Sequence, residues 1–227
     1  MINYWLDRKG PLVPFLDTKK PHLFNDYGAF ICLDIVYPAH KANDILSESL
    51  KQSWQRTHNY VENALDLLQD GSTSLVLEKE EVYEIKSELG EPPPQCYPLY
   101  FITIKDDPTE KLVYIGKTSS EKSRFKGGHL ALTKLLHPKY DGYEKKIYFA
   151  TIVFLTKEKD YLPLEWVHPL KSSNNLLIQI EARLITHFKP VLNKHHINTK
   201  RKRLYTMFHM QNFTQSSSIF HDEFIQI

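Results

Sequence analysis

The sequence predicts an α+β protein: a small β-sheet flanked by helices, in the order β-β-α-β-α across residues 98–193, preceded by an α/β extension. Three observations carry that prediction. Leu99–Ile104 and Lys111–Ile115 are rich in Tyr, Phe, Ile and Val, which suit a pleated surface, and Asp106-Asp107-Pro108 between them signals a hairpin turn. Lys146–Leu155 is a third run of the same kind. Asn174-Asn175 then caps a helix that ends before Pro190, with Leu177, Glu181, Leu184 and Phe188 on one face.

The remaining elements follow in chain order. Ala29–Tyr37 is β-like, and Lys41–Leu68 is mainly helical, with apolar Ile45, Leu50, Trp54, Val61, Leu65 and Leu68. After the Gly71-Ser72 break, Ser74–Leu77 is a short candidate strand, followed by an acidic stretch, Glu78–Glu91. Consecutive prolines at 92–94 lack N–H donors and fix φ, so residues 92–97 read as a stiff connector. Residues 1–91 are thereby set off as an extension suited to dimerisation or DNA recognition. Ser119-Ser120-Glu121 caps a helix running to about Leu136, before Pro138. Residues 194–227 form a basic C-terminal extension, whose last part, 211–227, takes no clear assignment.

Composition narrows the function classes. The chain has 227 residues, 41% of them hydrophobic, enough for one large domain or two small ones with a proper core. Its apolar runs are far shorter than the roughly 20 residues of a membrane span, and its start lacks the pattern of a secretory signal. Cys32 and Cys96 are too few for a disulfide framework or a cysteine-based zinc site, so a cytoplasmic protein is expected. Net charge is +2, but residues 1–97 hold 9 Lys/Arg against 15 Asp/Glu, whereas residues 98–227 hold 20 against 12. A basic half of this kind attracts polyanions; a charge difference without function is the plainer alternative.

One series of residues handles phosphodiesters by type: Tyr100 in Pro98-Leu99-Tyr100, Tyr114-Ile115-Gly116-Lys117, Arg124, His129, Glu181 and Asn193. Glu181 stands out independently. Its helical neighbours at i±3 and i±4 are Leu177, Ile178, Leu184 and Ile185, so no intrahelical ion pair can satisfy it. A carboxylate on an apolar stripe is costly unless it is paired or holds a metal. The plainer reading is an edge glutamate reaching solvent or a distant lysine. Tyr100 and Tyr114 could likewise be ordinary strand aromatics, and Arg124 a surface residue.

In order and spacing, residues 98–193 resemble a GIY-YIG nuclease domain. The first motif is imperfect, with Pro98 in place of glycine, but keeps Tyr100; the second is intact as Tyr114-Ile115-Gly116. Arg124 lies ten residues beyond Tyr114, and Asn193 twelve beyond Glu181. His129 is five residues after Arg124 rather than the family's usual four, which on an ideal helix swings its ring about 100° round. Gly127-Gly128 could restore the alignment. The size, N-terminal extension and prolines resemble the compact restriction-type members.

The resemblance implies a Mg²⁺-dependent DNA endonuclease, with Mn²⁺ able to substitute, acting in bacterial or phage DNA defence or processing. Glu181 would hold the metal, Arg124 would meet the phosphate oxygens, and Tyr100 would take a proton from water. Tyr114 would orient water or phosphate, and His129 would accept or relay the proton. Gly116, Lys117 and Asn193 would support them, and the products would carry 5′-phosphate and 3′-hydroxyl ends. A phenol is only about 0.1% ionised at pH 7, so Tyr100 needs cations or a relay, for which Lys117 and Arg124 are candidates. Lys117, Lys126, Lys194, Lys200, Arg201, Lys202 and Arg203 are candidate nucleic-acid contacts, the C-terminal run being equally readable as a solvated basic tail. A homodimer, RNA as the substrate, a structure-selective nuclease, and a binding module without catalysis all stay open.

Overall fold

Twelve residues, Glu144–Leu155, form the strand around which the protein is built. The computed structural model describes residues 1–17, 28–44, 48–68, 76–118, 125, 128–155, 161–194, 207–217 and 219–225. Along the chain come α1 (Ile2–Leu6), β1 (Leu16–Asp17), β2 (Ala29–Pro38), α2 (Leu50–Leu67) and α3 (Lys79–Leu89). They are followed by β3 (Leu99–Asp106), β4 (Thr109–Lys117), α4 (Leu130–Lys134), β5 (Glu144–Leu155) and β6 (Tyr161–Pro163). Last are β7 (Val167–His168), α5 (Leu170–Phe188), β8 (Phe208–Asn212) and β9 (Asp222–Ile225).

The main sheet runs β4-β3-β5-β2-β8-β9, with β6 beside the far end of β5. All its pairings are antiparallel except β2 with β8. The α+β class is as expected. The acidic extension and the basic part are not separate bodies, however: β2 lies between β5 and β8, and apolar residues from Ile2 to Ile225 share one core. The prolines divide the chain by charge rather than by fold.

The sheet is covered on both faces, which is why Leu99–Ile104 in β3 are buried without interruption. One face presents Leu99, Phe101, Ile115, Ala150 and Ile152 to α2 and α5. The other presents Tyr100, Ile102, Val113, Ile147 and Phe149 to Phe125, Ala131 and Leu135. Thus two layers of helix and loop sandwich the β4-β3-β5 corner.

Local chemistry sets the boundaries, sometimes against expectation. The helix expected over Lys41–Leu68 is split into a 3₁₀ turn at Ala39–Asp44 and α2, which starts where Ser49 and Gln52 form a reciprocal cap. Val76 and Leu77 form no strand, and the acidic stretch becomes α3, capped by Glu78 with Glu81 and ended at Gly90 with φ 75°. Asn174 and Asn175 do not cap α5. The helix starts earlier, after Pro169, and Ser173 donates to the Leu164 carbonyl at 2.8 Å, which ties that first turn to the preceding loop. It ends with Lys189 in the left-handed region, just before Pro190.

The largest departure concerns the helix expected from Ser119. Residues 119–124 lie outside the described residues, and α4 spans only Leu130–Lys134. His129 is its extended N-cap residue, preceded by Gly128 at φ 101°. A helical swing from Arg124 therefore does not set the His129 ring, because His129 is not inside a helix.

Candidate active site

The hairpin places the first two candidates. Its turn at Asp106–Pro108 fixes a register in which Tyr100 faces Gly116 and Ile102 faces Tyr114. Tyr100 and Tyr114 therefore emerge on the same face, their rings 6.0 Å apart. Tyr100 is fully buried, whereas Tyr114 is half-buried and reaches the surface. A Cβ on Gly116 would overlap the Tyr100 phenol, so glycine is what lets that ring lie flat on β4.

His129 closes over this pair. Its Nε2 and the Tyr100 hydroxyl share a hydrogen bond of 2.9 Å. The imidazole stands edge-on to Tyr100 and Tyr114 and stacks on Phe125, 5.2 Å away. Because His129 sits at the mouth of α4 rather than within it, the left-handed Gly128 can turn the chain to present the ring.

Glu181 comes from α5, between Ile180 and Ala182 and one turn from Leu177 and Leu184, all buried. Its side chain is 11% exposed, and Lys117 Nζ donates to its Oε2 at 2.5 Å. The partner that helix α5 lacks is thus supplied by the end of β4. Asn193 stands beside them, its Oδ1 accepting from Ile115 N at 2.9 Å and its Nδ2 donating to Ile115 O at 2.8 Å. Its amide pairs with the open edge of β4 as another strand would, which anchors the segment after α5.

These groups border a cleft of about 440 Å³. Tyr114, Lys117, His129, Glu181 and Asn193 line it, together with Lys134 and Lys194. Tyr100 lies behind its wall and communicates with it through His129. Glu181 is the one carboxylate among the described lining residues. Among the described residues, no group of three or more His, Cys, Asp or Glu is arranged to hold a metal.

Six of the sequence candidates therefore meet in the cleft or against its wall: Tyr100, Tyr114, Lys117, His129, Glu181 and Asn193. Gly116 makes room for them, and Lys194 lies exposed at the rim. Arg124, Lys126, Lys200, Arg201, Lys202 and Arg203 lie outside the described residues. Sequence reasoning missed Phe125 and Lys134. Phe125 is an apolar residue amid polar neighbours, a signal that it is anchored; Lys134 carries no signal apart from the position of α4.

No described helix is long and apolar enough to cross a membrane. The chain has no match among family models, curated proteins or solved structures.

Proposed function

We propose that this protein is a metal-dependent nuclease that hydrolyses DNA phosphodiesters to 5′-phosphate and 3′-hydroxyl ends, in the manner of the GIY-YIG nucleases its motifs resemble. The observation that carries the proposal is convergence. A phenol, an imidazole, a carboxylate and three lysines, from β4, α4, α5 and the segments beside them, face one open cleft. Ordinary strand aromatics and an edge glutamate would not need to meet.

The fit to a metal is specific in kind. A single carboxylate beside open space suits Mg²⁺ or Mn²⁺, which keep several waters, and does not suit zinc, which takes three or four protein ligands. Glu181 would be the protein ligand. Bound there, such an ion would supply Lewis-acid stabilisation of the leaving 3′-oxygen.

The other roles follow from position. Lys134 and Lys194 draw the phosphate backbone to the cleft, giving a salt-dependent affinity. Tyr114, on the cleft surface, orients the attacking water or a phosphate oxygen. His129, on the cleft wall, is the proton acceptor of this reading once substrate entry brings water to its ring, and the 2.9 Å hydrogen bond between its Nε2 and Tyr100 holds that ring in place. Tyr100 is too deeply buried to meet water itself, so its role moves from direct base to positioning His129. Asn193 fixes the backbone that carries Tyr114 and Lys117.

A second reading is favoured by the Lys117–Glu181 pair: a nucleic-acid-binding module whose carboxylate is permanently neutralised. Labelled DNA and RNA of one mixed sequence, each incubated with Mg²⁺ or EDTA, separate the readings. Mg²⁺-dependent fragments with 5′-phosphate ends from DNA support the nuclease. Cleavage of RNA alone would move the substrate class, and tight binding with no cleavage of either would establish the module.

A further inference from the structure

The geometry points to Lys117 as a guard on the metal position: in the free protein its ammonium is bonded to the Glu181 carboxylate that would hold the metal, and metal binding displaces it into the cleft. This inference rests on the nuclease reading above and adds to it a competition within the site.

Oε2 of Glu181 accepts from Lys117 Nζ at 2.5 Å. The two side chains are 11% and 21% exposed, so their mutual attraction is screened far less than that of a surface pair. A divalent cation and an ammonium held on one carboxylate repel each other, so the ion binds at least cost when Lys117 has moved off. Lys117 is also free to leave in one direction: the last residue of β4, it lines the same open cleft as Tyr114, His129 and Lys194. A phosphate entering the cleft would be the next partner for a displaced ammonium. Lys134 provides an internal comparison, because it lines the cleft without bonding Glu181.

The test is Mn²⁺ binding by calorimetry in the absence of nucleic acid, on wild type and on Lys117→Met, Lys117→Arg, Lys134→Met and Glu181→Gln. Lys117→Met should bind Mn²⁺ about tenfold more tightly than wild type or better, since a close like charge is removed from the site. Lys117→Arg, which restores the charge, should bind no more tightly than wild type, and Lys134→Met should differ from it by less than about threefold. Melting curves provide a second readout: Lys117→Met should melt below wild type without metal and, as tighter binding requires, be raised more by Mn²⁺. Unchanged or weaker Mn²⁺ binding in Lys117→Met, with Glu181→Gln abolishing it, would overturn the guard while leaving the metal reading intact. An equal gain in Lys134→Met would overturn it in favour of a general field. Binding indifferent to Glu181→Gln, or absent from every form, would overturn the metal reading itself and the guard with it.

Discussion

The Tyr100 ring lies across the backbone of Gly116, its direct partner on the neighbouring strand. The contact joins the two motifs physically: the glycine of the second leaves the space that the tyrosine of the first occupies, and His129 bonds the hydroxyl that results. A side chain at 116 would therefore be felt at His129.

Gly116→Ala should destabilise the protein and disable the site together. The added methyl would overlap Cζ and Oη of a fully buried ring and approach Tyr114 Cε1 at 2.8 Å. Overpacking of this kind costs about 1–3 kcal/mol. A drop in the denaturant midpoint, with cleavage reduced by more than the unfolded fraction explains, is the expected result.

Tyr100→Phe isolates the hydrogen bond from the packing. The ring stays, the bond to His129 Nε2 is lost, and stability should fall by only about 1 kcal/mol. If Tyr100 positions His129 as the proton acceptor, the cleavage rate falls by about 10²-fold or more while affinity for DNA is unchanged. Rate and affinity measured on the same preparation check this.

Asn193→Ala should behave as a structural lesion. It removes both hydrogen bonds to Ile115 and leaves a buried N–H and carbonyl without partners, at a cost of about 2–4 kcal/mol. Asn193→Asp should also destabilise, since an acceptor would then face the Ile115 carbonyl. Urea denaturation of both variants gives the values.

Away from the cleft, two buried groups shape the pH dependence of stability. His58 is stacked between Phe15 and Trp54, at 3.7 and 3.6 Å, and burial pushes its pKa down to about 4. The unfolded chain takes up that proton first, so the contribution of His58 is complete above about pH 6.5 and is lost as pH falls towards 4. Glu165 is pushed up to about 7 by burial, although its Oε1 accepts from Cys96 N at 3.0 Å. Its contribution is complete below about pH 4.5 and is lost as pH rises through 7. Glu165→Gln should raise the melting temperature above pH 7 relative to wild type and leave it little changed near pH 4. A melting series across pH 4–9 on both proteins reads out the difference.

What the sequence revealed was local. The β3–β4 hairpin was legible because Asp106-Asp107-Pro108 interrupts two β-rich runs, and Glu181 was legible because a carboxylate on an apolar stripe needs a partner. The identity of that partner, Lys117, was not legible as a pair, since it is 64 residues away and joined only by tertiary packing. The same limit hid the place of β2 between β5 and β8: residue patterns announce a strand but not its neighbour. His129 was misplaced for a different reason. Helical periodicity runs on through His129 in the sequence, whereas Gly128 has φ 101° and α4 begins only at Leu130.

The most direct test of the account is single-turnover cleavage of an end-labelled duplex in Mg²⁺ by wild type and by Glu181→Gln, with matched circular dichroism spectra. Fragments are expected from wild type, with a rate at least about 10²-fold lower from the variant, the scale that follows when one transition-state charge contact is removed. Equal rates from the two proteins would contradict it, because cleavage would then proceed without the carboxylate around which the cleft is arranged.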